Sequence, residues 1–278
     1  MNKCDTDGMT AGGQAHRGGR GILNRRTAWE RFQVDRRTPA DDLVGVADYL
    51  WILTWDLRGR EPHRQRVLTH PVVNMTFTTG GRARVVGVVR DVFTETIEGQ
   101  GRVVGVCFRP GGFRPFLDGP VSAITDRFTP VERIFGPEAR TVADAIIAEP
   151  VTDRAVALLE DFLRSRLPET PDPMAAEVIA IVERIAAEPA LLRVDELAGG
   201  LGIGTRRLQR IFAEYVGVGP KWVIRRYRMQ EAAERAGKGA GVDWAALSIE
   251  LGYADQAHFT RDFSRAIGTS PAQYARDC

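Results

Sequence analysis

The chain has few of the residues that build metal and redox centres. Three cysteines, Cys4, Cys107 and Cys278, are scattered over 278 residues, and no two have the spacing of zinc ligands. The four histidines, His16, His63, His70 and His258, show no paired metal spacing either. Three distant cysteines spell no disulfide framework, so a reducing compartment is expected. No apolar run approaches the roughly 20 residues that span a bilayer. The N-terminus lacks the apolar stretch of a secretory signal. Gly199–Gly204 is glycine-rich but follows a helical pattern and does not form a dinucleotide fingerprint. The expectation is a cytoplasmic protein with no metal, no cofactor, no catalytic residues and no membrane partner; it is not expected to be an enzyme.

Net charge is small as well, +2, so overall charge says nothing about nucleic acid. The distribution says more. Seven basic residues fall between Ile203 and Arg228 (Arg206, Arg207, Arg210, Lys221, Arg225, Arg226 and Arg228), against one acid, Glu214. A local basic excess on a near-neutral chain attracts polyanions. Apolar content of 44% is enough to build a core. The length suits about two domains at ~100–200 residues each.

Four segments follow along the chain. Residues 1–27 are rich in Gly and Arg without apolar periodicity, and read as a disordered tail. The run Arg17-Gly18-Gly19-Arg20-Gly21 is an RGG-like fragment in a single copy, which a flexible tail explains. Residues 28–167 read as a sensor or dimerisation domain. Its strand-like stretches are Leu50–Trp55, Val72–Phe77, Val85–Val89 and Val103–Phe108, with Gly80-Gly81 as a hairpin turn. They predict a small antiparallel sheet or partial barrel. Two helical faces follow, Val142/Ile146/Ile147 and Val156/Leu159/Phe162/Leu163. Pro168, Pro171 and Pro173 mark a linker over 168–173. Residues 174–278 carry only helical patterns. The fold class is therefore α+β, with an N-terminal sheet domain and an all-α C-terminal domain.

The C-terminal part repeats itself. Val242–Leu251 reads as a short helix, Gly252 as a turn, and Asp255 as the cap of a second helix bearing Phe259 and Phe263 on one face. Gly268-Thr269-Ser270-Pro271 closes the unit. Upstream, Val194–Leu201 is a short helix, Gly202 and Gly204 make the turn, and Leu208, Ile211 and Phe212 form the buried face of the next helix. Gly217-Val218-Gly219-Pro220 closes that unit. Leu208 and Phe259 are 51 residues apart, the period of a doubled helix-turn-helix unit. Between the units, Pro220–Ala236 reads as one connector helix ended by Gly237. A rigid connector can hold two recognition helices about one DNA turn apart, ~34 Å.

These positions resemble the AraC/XylS family of bacterial regulators. The second unit carries Gly252-Tyr253, Asp255-Gln256, His258-Phe259, Arg261, Phe263, Arg265, Gly268, Ser270-Pro271 and Tyr274. The first carries Leu197-Ala198, Leu208, Arg210, Phe212, Gly217 and Pro220, and the connector Arg228-Met229 and Ala232. The chain departs from the family pattern at Gly204, where Ser is preferred as cap, at Gly219 before Pro220, and at Ala257, where Ser is usual. Carried over by position, the resemblance places Arg206, Gln209 and Arg210 at the DNA from the first unit. It places Gln256, Ala257, His258 and Arg261 there from the second. Arg suits guanine and Gln suits adenine, each bidentately. Arg207, Arg225 and Arg226 are expected either to neutralise phosphates or to form a solvated face. For Arg210 and Arg261 the competing reading is an ion pair within the domain.

The N-terminal half is similar to uncharacterised sensor domains of that family, through Tyr49-Leu50-Trp51, Pro71–Phe77 and Phe108-Arg109-Pro110-Gly111. If an effector pocket exists, Trp51, Trp55, Asn74 and Arg109 are its candidates. The alternative makes the tryptophans core or dimer-interface residues and Arg109 structural. Cys107 reads as a small buried hydrophobe rather than a redox sensor. The implied function is a sequence-specific transcription regulator controlled by an unidentified effector. Candidate partners are duplex operator DNA, RNA polymerase, a small molecule and a second copy of the chain. Two rival readings are a DNA-repair methyltransferase-type regulator, which would need a nucleophilic cysteine and zinc ligands, and a constitutive DNA-binding protein without a ligand.

Overall fold

Alternating apolar residues build the N-terminal half. A computed structural model describes residues 21–23, 25–236 and 242–277. Its first helix, α1 (Arg25–Trp29), precedes eight strands: β1 (Gln33–Arg37), β2 (Ala47–Asp56), β3 (His63–Val67), β4 (Asn74–Thr78), β5 (Arg82–Val86), β6 (Phe93–Ile97), β7 (Gln100–Phe108) and β8 (Phe128–Pro130). Six of them form one antiparallel sheet in the order β1-β2-β7-β4-β5-β8, and β3 and β6 pair as a separate two-stranded ribbon. Leu50, Met75, Phe77, Val85, Val104 and Val106 are all buried and belong to one apolar core. Burying each large side chain contributes roughly 1.5–3 kcal/mol. Directly paired residues share a face, so Tyr49, Trp51 and Trp55 lie together opposite Cys107, Gly105 and Gly101.

Gly80 and Gly81 make the expected hairpin turn, both at positive φ (91° and 85°). The strand expected over 85–89 stops at Val86. Gly87 donates its N–H to the Arg127 carbonyl at 3.0 Å and lies so close to the Ile124 carbonyl that no β-carbon fits. That contact draws the chain off the sheet. Of the tail expected over 1–27, residues 1–20 and Asn24 lie outside the described residues. Ile22 bridges to Val67, and Leu23 is buried, donating its N–H to the Arg66 carbonyl at 3.1 Å.

Two short 3-10 turns (Arg114–Phe116 and Val121–Ile124) lead to α2 (Glu132–Phe135), α3 (Ala139–Ala148) and α4 (Thr152–Arg164). Of the apolar faces read from sequence, Ile146, Leu159, Phe162 and Leu163 are buried and Val142, Ile147 and Val156 half-buried, while Ala143, outside the expected face, is buried as well. The next helix, α5 (Pro173–Ala187), starts at a proline whose missing N–H costs nothing at that position. Asp172 caps it, accepting from Met174 N at 2.9 Å. Then come α6 (Val194–Gly200), α7 (Thr205–Tyr215), α8 (Pro220–Ala236), α9 (Trp244–Glu250), α10 (Gln256–Ile267) and α11 (Pro271–Asp277). Gly237, expected to end the connector, lies outside the described residues.

The sheet core does not stop at the end of α4. It runs on through Val178, Val182 and Ile185 of α5 to Leu197, Leu208, Phe212 and Val223. The C-terminal half of α8 and the helices after it share a second core: Met229, Ala232, Leu247, Leu251, Phe259, Phe263, Ile267 and Tyr274, joined from the sheet domain by Leu23 and Leu68.

Candidate nucleic-acid interface

In the first unit the turn between α6 and α7 is made by Gly202, at φ 66°, and by Ile203 N–H donating to the Ala198 carbonyl at 3.1 Å. Gly204 is the N-cap of α7 and supplies no side-chain cap. The leading amides of α7 therefore have no capping side chain, the situation in which a helix N-terminus favours a phosphate. Leu208 and Phe212 are fully buried and fix the roll of α7. That roll leaves Arg206, Arg207, Gln209 and Arg210 exposed.

The second unit is capped at both helices. Asp243 accepts from Ala245 N and Ala246 N, each at 3.0 Å, and Asp255 accepts from His258 N at 2.6 Å. Gly252 makes the turn at φ 77°. Phe259 and Phe263 are buried, and Gln256, Ala257, His258 and Arg261 are exposed. Arg261 Nε donates to the Ala257 carbonyl at 3.3 Å. Among the described residues, neither Arg210 nor Arg261 has a carboxylate partner. The His258 ring lies edge-on to Tyr253 at 5.2 Å, with Nε2 3.8 Å from Asp262 Oδ2.

The connector α8 corrects part of the charge reading. Seventeen residues at about 1.5 Å each make it about 25 Å long. Arg225 pairs with Asp262 of α10. Arg226, expected at a phosphate or on a solvated face, is buried; it donates to the Arg90 carbonyl and lies 4.5 Å over the Trp222 ring. Burial pushes its pKa down to about 10. Arg228, counted in the basic patch, is also buried. It donates to the carbonyls of Ile185 and Glu188 and pairs with Glu231 at 2.9 Å, tying α8 to the end of α5. Both are inside because the sheet domain and α5 pack on α8, a non-local fact. The exposed basic set is therefore Arg206, Arg207, Arg210, Lys221 and Arg225. Glu214, the one acid of the patch, is turned onto Arg114 of the sheet domain at 2.6 Å.

The four effector candidates do not converge. Asn74 stands opposite Cys107 in register, so Asn74, Trp51 and Trp55 share a sheet face. Each indole lies against a glycine, Trp51 on Gly105 and Trp55 on Gly101, where a β-carbon would collide with the ring. Trp55 Nε1 donates to the Glu98 carbonyl at 2.9 Å. Arg109 instead pairs with Glu183 of α5 at 2.9 Å, fastening the sheet domain to the helices. An open cleft of about 680 Å³ adjoins Trp55 and is lined also by Trp29, Gln33, Thr54, Gln100 and Arg102. Sequence reading missed it, because its wall is assembled from four separate segments. Cys107 is buried, and burial pushes its thiol up to about 12. Among the described residues no group of three or more His, Cys, Asp or Glu is placed to hold a metal ion, and no helix is long and apolar enough to cross a membrane.

Residues 197–277 match a family described as a helix-turn-helix domain. Residues 35–130 match a domain of unknown function, DUF6597. The transcription factor PqrA of Proteus vulgaris is 33% identical over 85 residues, which cover 30% of this chain and 67% of that protein. The chain belongs to the AraC/XylS family. An AraC-like transcription regulator of Streptomyces antibioticus is 26% identical over 144 residues, 49% of this chain. This AraC/XylS-family chain covers 46% of that relative, under half of its length. The C-terminal domain of the response regulator AraT from Geobacillus stearothermophilus is 24% identical, with a TM-score of 0.34 over 38% of this chain and 87% of that one. The relatives are transcription regulators rather than enzymes, which does not favour the methyltransferase-type reading.

Proposed function

We propose that the protein regulates transcription by binding operator DNA through α7 and α10, each entering a major groove. The observation that carries this reading is the pair of outward faces, Arg206–Arg210 and Gln256–Arg261, on two units joined by one connector. Arg210 and Arg261 have guanidiniums without carboxylate partners among the described residues, so they can meet a base edge without first breaking an ion pair. Arg206, Gln209, Gln256 and His258 complete the reading set, and Ala257 offers apolar contact to a thymine methyl. Arg207, Lys221 and the uncapped amides of α7 serve phosphates.

The sheet domain is the sensor in this reading. Trp51, Trp55 and Asn74 form the effector-facing surface together with the adjoining cleft, and Arg109 joins the sheet to α5. RNA polymerase and a second copy of the chain are partners of the bound regulator. The test is selection from random-sequence duplex, followed by binding at fixed salt. A bipartite site, with its halves about one turn apart, supports the reading. Equal affinity for every sequence, with a salt slope alone, refutes it.

A further inference from the structure

The sheet domain touches the two helix-turn-helix units at equivalent positions of their repeat. Gly217 and Gly268 are 51 residues apart, the same offset as Leu208 and Phe259. Each follows its recognition helix, and each has positive φ, 90° and 84°. At the first, Thr125 Oγ1 donates to the Gly217 carbonyl at 2.7 Å. At the second, Arg66 Nη2 donates at 2.6 Å to the carbonyl of Ile267, the last residue of α10. A guanidinium there also meets the negative end of the helix dipole. Both approaches are close. A β-carbon at Gly217 would stand 2.8 Å from Thr125 Oγ1, and at Gly268 the Arg66 guanidinium leaves no room for one.

We infer that the sheet domain sets the spacing of the two recognition helices through this matched pair of grips, with Thr125 and Arg66 as positioning residues. The inference rests on the DNA-reading function proposed above. Along the chain the units are related through α8, braced by Arg225–Asp262 and Arg235–Glu250. The sheet domain adds a second path from unit to unit, made by the grips together with Arg114–Glu214 on α7 and with Leu23 and Leu68 in the core of the second unit, and two paths fix an angle that one leaves free. They hold the C-terminal ends, while the reading residues from Arg206 to Arg210 and Gln256 to Arg261 lie nearer the N-terminal ends and stay exposed. The two grips sit on different pieces of the sheet domain. Thr125 follows the turn packed into the main core, whereas Arg66 is on the β3–β6 ribbon. Glu95 of that ribbon bridges to Arg82 at 3.0 Å and Arg84 at 2.5 Å on β5. The ribbon and the main sheet thus hold different units, Arg66 the end of α10 and Thr125 the turn after α7.

The test uses the full chain in two measurements. Spin labels at Thr205→Cys and Arg265→Cys, both exposed positions, in a background with Cys4→Ser and Cys278→Ser, report the distance between α7 and α10 without DNA. One narrow distribution is expected in the parent, and one at least twice as wide in Arg66→Ala/Thr125→Val. Arg66→Lys should keep it narrow. In the second measurement, one base pair is inserted between the halves of a selected operator, which rotates one half-site by about 34°. The parent should lose about tenfold in affinity, the order of one mismatched pair, and the double variant less than about threefold. If the double variant does not melt cooperatively, the single variants are read in the same way. An unchanged narrow distribution, or an unchanged penalty for the insertion, overturns the inference. If the parent selects no duplex at all, the DNA-reading function has failed, and the distance measurement still decides the grips.

Discussion

The two helix-turn-helix units share a plan but are stabilised differently. The first has no side-chain cap on α7, and its core is continuous with α5 and the sheet. The second is capped at both helices by aspartate and packs around its own aromatic cluster, with Phe259 and Phe263 5.6 Å apart between Trp244, Tyr253 and Tyr274. A unit built into a larger core can dispense with local helix signals, whereas one with a separate core, joined from the sheet domain by Leu23, Leu68 and the Arg66 grip, relies on them. Sequence repeats thus conserve shape without conserving the source of stability.

The largest expected effect comes from the two cores. Phe212→Ala and Phe263→Ala should each cost about 3–5 kcal/mol, but in different places. Phe212→Ala should lower the main calorimetric transition of the whole chain. Phe263→Ala should expose only the amides of α9–α11 to hydrogen exchange and leave the sheet protected. Identical global unfolding by both variants would erase the distinction between the units.

Next in size are the residues proposed to read bases. Arg210→Ala and Arg261→Ala should each weaken operator binding by about 1–3 kcal/mol and leave random-sequence affinity nearly unchanged, as read by titration at fixed salt. Equal losses on random DNA would assign both arginines to phosphates.

The caps sharpen the comparison further. Asp255→Ala should destabilise the second unit by about 1 kcal/mol, and Gly204→Ser should stabilise the first by only a few tenths. Denaturant titration followed by hydrogen exchange of α7 and α10 resolves the two. The smallest effect concerns Cys107. With its thiol held near 12 by burial, it should stay unlabelled by a thiolate-specific reagent at pH 8 in the folded chain and react on unfolding; fast labelling in the folded chain would contradict its burial.

What could be read from sequence was local. The units announce themselves through glycine turns, Asp255 and the Phe259/Phe263 spacing, all contained within about 30 residues each. Strand β4 is legible from alternation, β2 from its β-branched and aromatic content and β7 from its valine-rich run, but β3, with the sequence His-Arg-Gln-Arg-Val, is too polar and short to stand out. Arg226 and Arg228 look like surface charges on a helix, and only the packing of distant segments buries them. Arg109 and Glu183 are 74 residues apart, and the grips of Thr125 and Arg66 reach further still, over 92 and 201 residues. Partners set by tertiary contact leave no periodic trace.

The most direct measurement is hydroxyl-radical footprinting of the selected operator with the parent chain, Arg210→Ala and Arg261→Ala. The expected result is two protected patches about one turn apart on one face of the duplex, with Arg210→Ala losing one patch and Arg261→Ala the other. A single patch, or the same loss at both patches in either variant, would contradict a doubled reader.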